Sequence, residues 1–142
     1  MATKKGRRRV RRILYDRWKD DMMDKLMHTE RGWGGHFIGG SSCLFRRNTL
    51  LEYKDKKWVV STVGNFISSK KELSQIGLNR YYETMAFESD IEDKKYHDAD
   101  VSKQITFDSE WSINFKDMDN EANVMHETVV NELSEKIMLV NR

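Results

Sequence analysis

Cys43-Leu44-Phe45-Arg46-Arg47-Asn48-Thr49-Leu50-Leu51-Glu52-Tyr53, then Lys54-Asp55-Lys56-Lys57, then Trp58-Val59-Val60-Ser61-Thr62-Val63-Gly64-Asn65-Phe66: this stretch decides the fold. Phe45, Thr49, Leu51 and Tyr53 stand in near-alternation, and Trp58 to Phe66 is rich in β-branched residues. Alternation sends successive side chains to opposite faces of a strand, and β-branched side chains suit a pleated, half-buried surface. The polar run Lys54–Lys57 between them reads as a hairpin turn. Outward from the hairpin, His36-Phe37-Ile38 reads as a short strand between glycine pairs. Arg80 to Phe87 reads as another, with Tyr81, Glu83, Met85 and Phe87 on one face, and Gln104–Phe107 and Trp111–Phe115 complete the set. Ser68-Ser69-Lys70-Lys71-Glu72 carries a capping signal for one short helical turn, and residues 89–100 form a polar excursion.

Helical periods flank the strands. Val10, Leu14, Trp18, Met22 and Leu26 recur every four residues, with Ile13 and Met23 beside them, and the helix is expected to end near Arg31, before Gly32, Gly34 and Gly35. At the other end Ala122, Met125, Val129, Leu133 and Ile137 fall on one stripe that Val130 and Met138 widen. Asp117 or Asp119 is the expected N-cap. The expected fold is α+β: a mainly antiparallel sheet of about five strands, with a long N-terminal and a C-terminal amphipathic helix packed against it. A basic arm, residues 1–12, precedes a single α+β domain, residues 13–142.

At 142 residues the chain is the size of one domain and needs no staple to bury a core. Its 38% apolar residues argue against wholesale disorder. Cys43 is the only cysteine, so there is no internal disulfide and no cysteine-built zinc site. No apolar run approaches the roughly 18 residues that span a bilayer, and no signal-peptide core is present, so the reading is soluble and cytoplasmic, with no membrane partner.

Charge is unevenly distributed. Lys4, Lys5, Arg7, Arg8, Arg9, Arg11 and Arg12 make seven bases without an acid in residues 1–12, and the remaining 18 bases stand against all 23 acids, a net of −5. Between Asp108 and Glu135 eight carboxylates accompany one lysine. An arginine-rich arm attracts phosphates without regard to sequence and loses that attraction as salt rises.

Four constellations bear on chemistry. Arg31-Gly32-Trp33-Gly34-Gly35-His36 and Gly39-Gly40-Ser41-Ser42 expose backbone amides of the kind that cradle anions, but neither a dinucleotide fingerprint nor a P-loop is present. His97, Asp98 and Asp100, with Glu83 or Glu110, have the donor types for a hard divalent cation and a metal-dependent hydrolase. His126-Glu127-Thr128 lacks the second histidine that zinc helices carry, since position 130 is Val130, and His126 is expected to flank the core stripe. Cys43 reads as a small buried thiol. Finally, Arg46, Arg47, Lys54, Lys56, Lys57, Trp58, Arg80, Tyr81 and Tyr82 interleave cations with aromatics, which suits phosphate contacts and base stacking. Arg46 and Arg47 point to opposite faces, so only one of them belongs to a given patch.

Arg31 to Ile38, Phe45 to Leu51, Val59 to Gly64, Arg80 to Phe87, Phe107-Asp108-Ser109 with Trp111, and Asn123 to Val130 resemble small uncharacterised accessory proteins of tailed bacteriophages and prophages. The resemblance covers residues 31–135 and leaves the arm outside. It implies a context of nucleic-acid binding, host-enzyme binding or countering host defence, in the cytoplasm of a bacterial host, and carries no catalytic residue.

The resulting expectation is a non-enzymatic binding protein that engages nucleic acid or a nucleoprotein through Lys4, Lys5, Arg7, Arg8, Arg9, Arg11 and Arg12, with Arg46, Lys57, Tyr81 and Tyr82 extending the contact. It assigns no catalytic residue, metal or cofactor. The alternatives are an anti-CRISPR-like inhibitor of a host complex, acting through the acidic stretch 108–135, and the metal-dependent hydrolase.

Overall fold

The turn of the central hairpin is made by Lys54 and Asp55, with Lys54 in the left-handed region at φ 55°, a conformation that matches the twist of the strands it joins. In the computed structural model, which describes residues 17, 25–32, 36–37, 39–89, 99–105 and 111–140, this hairpin pairs β2 (Cys43–Tyr53) with β3 (Lys56–Ile67) from Tyr53↔Lys56 to Cys43↔Phe66. β1 (Met27–Glu30) lies on the outer side of β2, and β5 (Tyr82–Ser89) and β6 (Ala99–Ile105) extend the sheet beyond β3. The short β4 (Leu73–Ser74) pairs with β3 and β7 (Ser112–Ile113) with β5, so the sheet has seven strands, all antiparallel. A long helix, α1 (Asp119–Val140), follows.

The α+β class and the antiparallel sheet agree with the sequence. The periodic stripe of α1 (Ala122, Met125, Val129, Val130, Leu133, Ile137 and Met138) is buried along its whole length. Val129, Val130, Leu133, Ile137 and Met138 pack on Leu51, Tyr53, Val60 and Ala86, which share one sheet face because each strand exposes alternate residues to the helix. At the N-terminal end of α1, Ala122 and Met125 pack on Phe45 and Tyr82. A Cβ at Gly64 would overlap the Tyr82 ring, so that close approach requires glycine.

Five expectations are corrected. The first helix was expected to reach Arg31, but Met27–Glu30 is strand: it pairs with β2 from Met27↔Glu52 to Glu30↔Thr49, and this ladder outcompetes the local helical period. The rest of that expected helix, like the arm, lies outside the described residues, Arg17 and Lys25 to Leu26 excepted. His36 and Phe37 form no strand; they lie against the sheet, with the Phe37 ring 5.5 Å from Phe66 and the His36 ring 6.0 Å from Phe87. Ser68–Glu72 is a tight turn, not helix: Lys71 sits at φ 60°, and Ser68 N donates to Glu72 O at 2.9 Å. The strand expected at 104–107 occupies Ala99–Ile105, and the one at Trp111–Phe115 shrinks to Ser112–Ile113. No helix among the described residues is long and apolar enough to cross a membrane.

Candidate functional site

Where the C-terminal half of α1 passes the hairpin end of the sheet, the helix and strands do not close. A cavity of about 530 Å³ opens there, lined by Lys56, Lys57 and Trp58 of β3, Glu88 and Ser89 of β5, Lys103 and Ile105 of β6, and Leu133, Lys136, Ile137 and Val140 of α1, with Asp55 at the turn. Positions 133, 136, 137 and 140 fall on one helical face by their spacing, and Trp58 stands opposite Glu88 in the β3–β5 ladder, which brings these residues together. Trp58, Ile105, Leu133, Ile137 and Val140 supply an apolar floor. Lys56, Lys103 and Lys136 against Asp55 and Glu88 make the rim net positive, while Lys57 turns its side chain to the opposite face of the sheet. Lys103 lies 3.8 Å from Glu88, a long contact between exposed side chains, and Lys57 lies 3.9 Å from Glu52 on the opposite face of the sheet. Such pairs exchange readily for a competing anion.

The N-terminal half of the same interface is closed by hydrogen bonds. His126, fully buried on α1, has Nε2 2.7 Å from Thr49 Oγ1 and Nδ1 2.7 Å from Thr62 Oγ1. The Thr49 hydroxyl donates to Glu30 Oε2 at 2.6 Å, so its oxygen can only accept from His126. His126 therefore carries its proton on Nε2, Nδ1 accepts from Thr62, and Thr62 in turn accepts from Thr84 at 2.6 Å. The chain runs in one direction, from Thr84 through Thr62, His126 and Thr49 to Glu30. Arg47 closes the outer end: Nε and Nη2 donate to Glu30 Oε1 and Oε2 at 3.0 and 3.1 Å, and Nη2 also donates to Glu127 at 2.7 Å. Burial, reinforced by the Arg47 charge, pushes the His126 imidazole down to about 4 despite the opposing carboxylates of Glu30 and Glu127. Burial alone would raise Glu30, but bonds from Arg47 and Thr49 outweigh it and hold the carboxyl below its usual range. Nearer the helix start, the Tyr82 hydroxyl donates to Asp119 at 2.6 Å, accepts from Met118 N at 2.9 Å, and is raised by burial and by that carboxylate. Asp119 thus holds the sheet to the helix, and Asn65, at φ 52°, donates to it as well at 3.0 Å.

A second histidine lies on the other face of the sheet. His36 Nδ1 is 2.8 Å from Ser61 Oγ, and Nε2 is 3.2 Å from Glu83 Oε1, at ion-pair distance but off hydrogen-bonding geometry. Arg80 donates to Glu83 at 2.6 Å and lies 5.2 Å from the Trp111 ring. The His36 ring and the Arg80 guanidinium hold the Glu83 carboxyl below its usual range against the effect of burial. Serine, histidine and glutamate are the composition of a nucleophilic triad. Ser61 is 0% exposed, however, so a substrate carbonyl has no path to its hydroxyl.

Arg46 is exposed on β2, and Lys57 and Trp58 line the cleft. Arg46 sits opposite Val63, six residues up β3 from Lys57, which separates the two by about 20 Å. Tyr81 is half-buried near Arg46's end of the sheet, with Lys116 5.8 Å from its ring. Tyr82 is corrected: its ring is 0% exposed and its hydroxyl is committed to Asp119, so it offers no surface for a base. Arg46, Lys57 and Tyr81 therefore do not form one patch. Lys4, Lys5, Arg7, Arg8, Arg9, Arg11 and Arg12 lie outside the described residues, as do His97, Asp98 and Glu110. Glu83 and His126 belong to opposite faces of the sheet, and among the described residues no group of histidine, cysteine and carboxylates is placed to hold a metal. Cys43 is buried, which pushes its thiol up, and its sulfur contacts Gly39 O at 3.8 Å.

Sequence reading missed Lys103, Lys136 and the apolar floor. Lys136 lies three residues beyond Leu133 and one before Ile137, so it flanks the buried stripe, and that offset was the available signal. No family model, curated protein or solved structure matches this chain.

Proposed function

We propose that this chain is a non-enzymatic binding protein of the phage accessory type that engages nucleic acid through its basic arm and the lysine-rimmed cleft. The observation that carries this reading is the convergence of Lys56, Lys103 and Lys136 from three elements around one apolar opening. Cations gathered over a hollow raise the local potential and attract a polyanion, and the arm adds seven further bases at the chain's start. Arg46 and Tyr81, at the far end of the sheet, are outlying contacts in this scheme.

Fluorescence anisotropy with a labelled single-stranded oligonucleotide tests it. Between about 50 and 200 mM salt the affinity of the full chain falls on the order of a thousandfold, and removing residues 1–12 lowers the slope of log affinity against log salt by about 5. Absence of binding at low salt refutes the proposal.

A second reading, an inhibitor that occupies a basic channel of a host complex, is favoured by the exposed carboxylates Glu121 and Glu135 along α1. Recovery of one stoichiometric host partner after nuclease treatment, together with no oligonucleotide binding, selects it.

A further inference from the structure

The cleft's two chemistries narrow the ligand, on the premise that the nucleic-acid reading holds. A duplex stacks its bases inside and offers a lysine rim only phosphates, leaving the floor of Trp58, Ile105, Leu133, Ile137 and Val140 uncovered. A single strand offers an apolar aromatic face and anionic oxygens within one nucleotide. At about 530 Å³ the cavity is within the roughly 300–1,000 Å³ range of small-ligand pockets. Trp58 is half-buried, held by its core contacts and still part of the cleft wall, so it provides a stacking surface that is already ordered.

We infer that the cleft seats one unstacked base of a single-stranded nucleic acid against Trp58, while Lys56, Lys103 and Lys136 take the flanking phosphates. Lys103 exchanges its long contact with Glu88 for a phosphate oxygen. Stacking on an aromatic face tolerates any base, so affinity depends little on sequence and strongly on strandedness. Base and phosphates bind together, and salt weakens only the second contribution.

The test compares a thymidine decamer with an abasic decamer of equal charge, each titrated into the full chain. The expected result is tighter binding of the thymidine strand by about tenfold or more, shrinking several-fold in Trp58→Leu, which keeps apolar volume without the aromatic face. Photo-crosslinking of a 5-bromouracil decamer to the unaltered chain reads the seat without any substitution, and the crosslinked peptide is expected to contain Trp58. Equal affinity for the two decamers overturns the base seat while leaving the nucleic-acid reading in place. A crosslink elsewhere, or displacement of the thymidine strand by a long-chain fatty acid and not by a mononucleotide, also overturns it. No binding of either decamer overturns both readings at once.

Discussion

The two halves of the interface between α1 and the sheet are built on opposite plans. Under the first turns of the helix, polar side chains are numerous and committed: Tyr82 and Asn65 bind Asp119, and His126 joins Thr49, Thr62 and Thr84 to Glu30 and Arg47. Under the last turns the contacts are apolar, and the surface opens between Trp58 and Ile137 into a cleft whose rim carries lysines beside Asp55 and Glu88. Buried polar groups are expensive unless matched, so the closed half fixes one angle and one register of helix on sheet. Lysines on long stems keep their charges in water and their stems on the apolar floor, so the open half tolerates exposure. Specificity of packing lives at one end of the helix and capacity to bind at the other.

The contrast is testable at each end. The largest effect is expected from His126→Ala, which opens a cavity and leaves Thr49 and Thr62 without their central partner; a loss of roughly 3 kcal/mol should appear in chemical denaturation. A loss below ~1 kcal/mol would mean the closed half is no more constrained than the open one.

Acid titration follows in size. The fold holds His126 neutral with its pKa lowered from 6.5 to about 4, so the unfolded chain binds the extra proton first. Stability is complete above about pH 6.5, falls as pH drops toward 4, and loses on the order of 3 kcal/mol from this group. The decline should shrink in His126→Gln to the smaller contributions of His28, Glu30 and Glu83, which the fold also holds below their usual ranges. A chain equally stable at pH 7 and pH 4.5 would break the assignment of His126 as the buried neutral link.

The smallest effect on stability is expected in the cleft. Lys56→Glu with Lys136→Glu should leave unfolding free energy within about 0.5 kcal/mol while weakening oligonucleotide binding at low salt at least tenfold. A large fall in melting temperature would show that the lysines serve the fold and erase the distinction between the two halves.

How much of this was legible before the structure differs by element. β2 spans Cys43–Tyr53, the residues read as strand from alternation, and every member of the α1 stripe is buried. The helix read across residues 27–30 was wrong because a helical period in isolation does not reveal that a backbone edge on β2 is waiting for a partner. Tyr82 was read as surface because cations and aromatics near it looked like one patch, yet alternation along β5 turns it to the helix while Tyr81 and Glu83 face elsewhere. The cleft was half-legible: Lys56 and Trp58 were singled out, while Lys103 and Lys136 were not.

Side-chain period along a single segment is local information, and it was enough to establish an antiparallel α+β domain with one closing amphipathic helix. Which polar residues meet is not local. Glu30, Thr49, Thr62, Thr84 and His126 come from five separate elements, and the cleft's Lys56, Lys103 and Lys136 come from three. Their meeting depends on strand order, on the Thr62↔Thr84 and Glu30↔Thr49 registers, and on the line α1 takes across the sheet. Those were decided only when the chain packed, because burial rewards total apolar area while hydrogen bonds between distant segments select the one arrangement that leaves them paired.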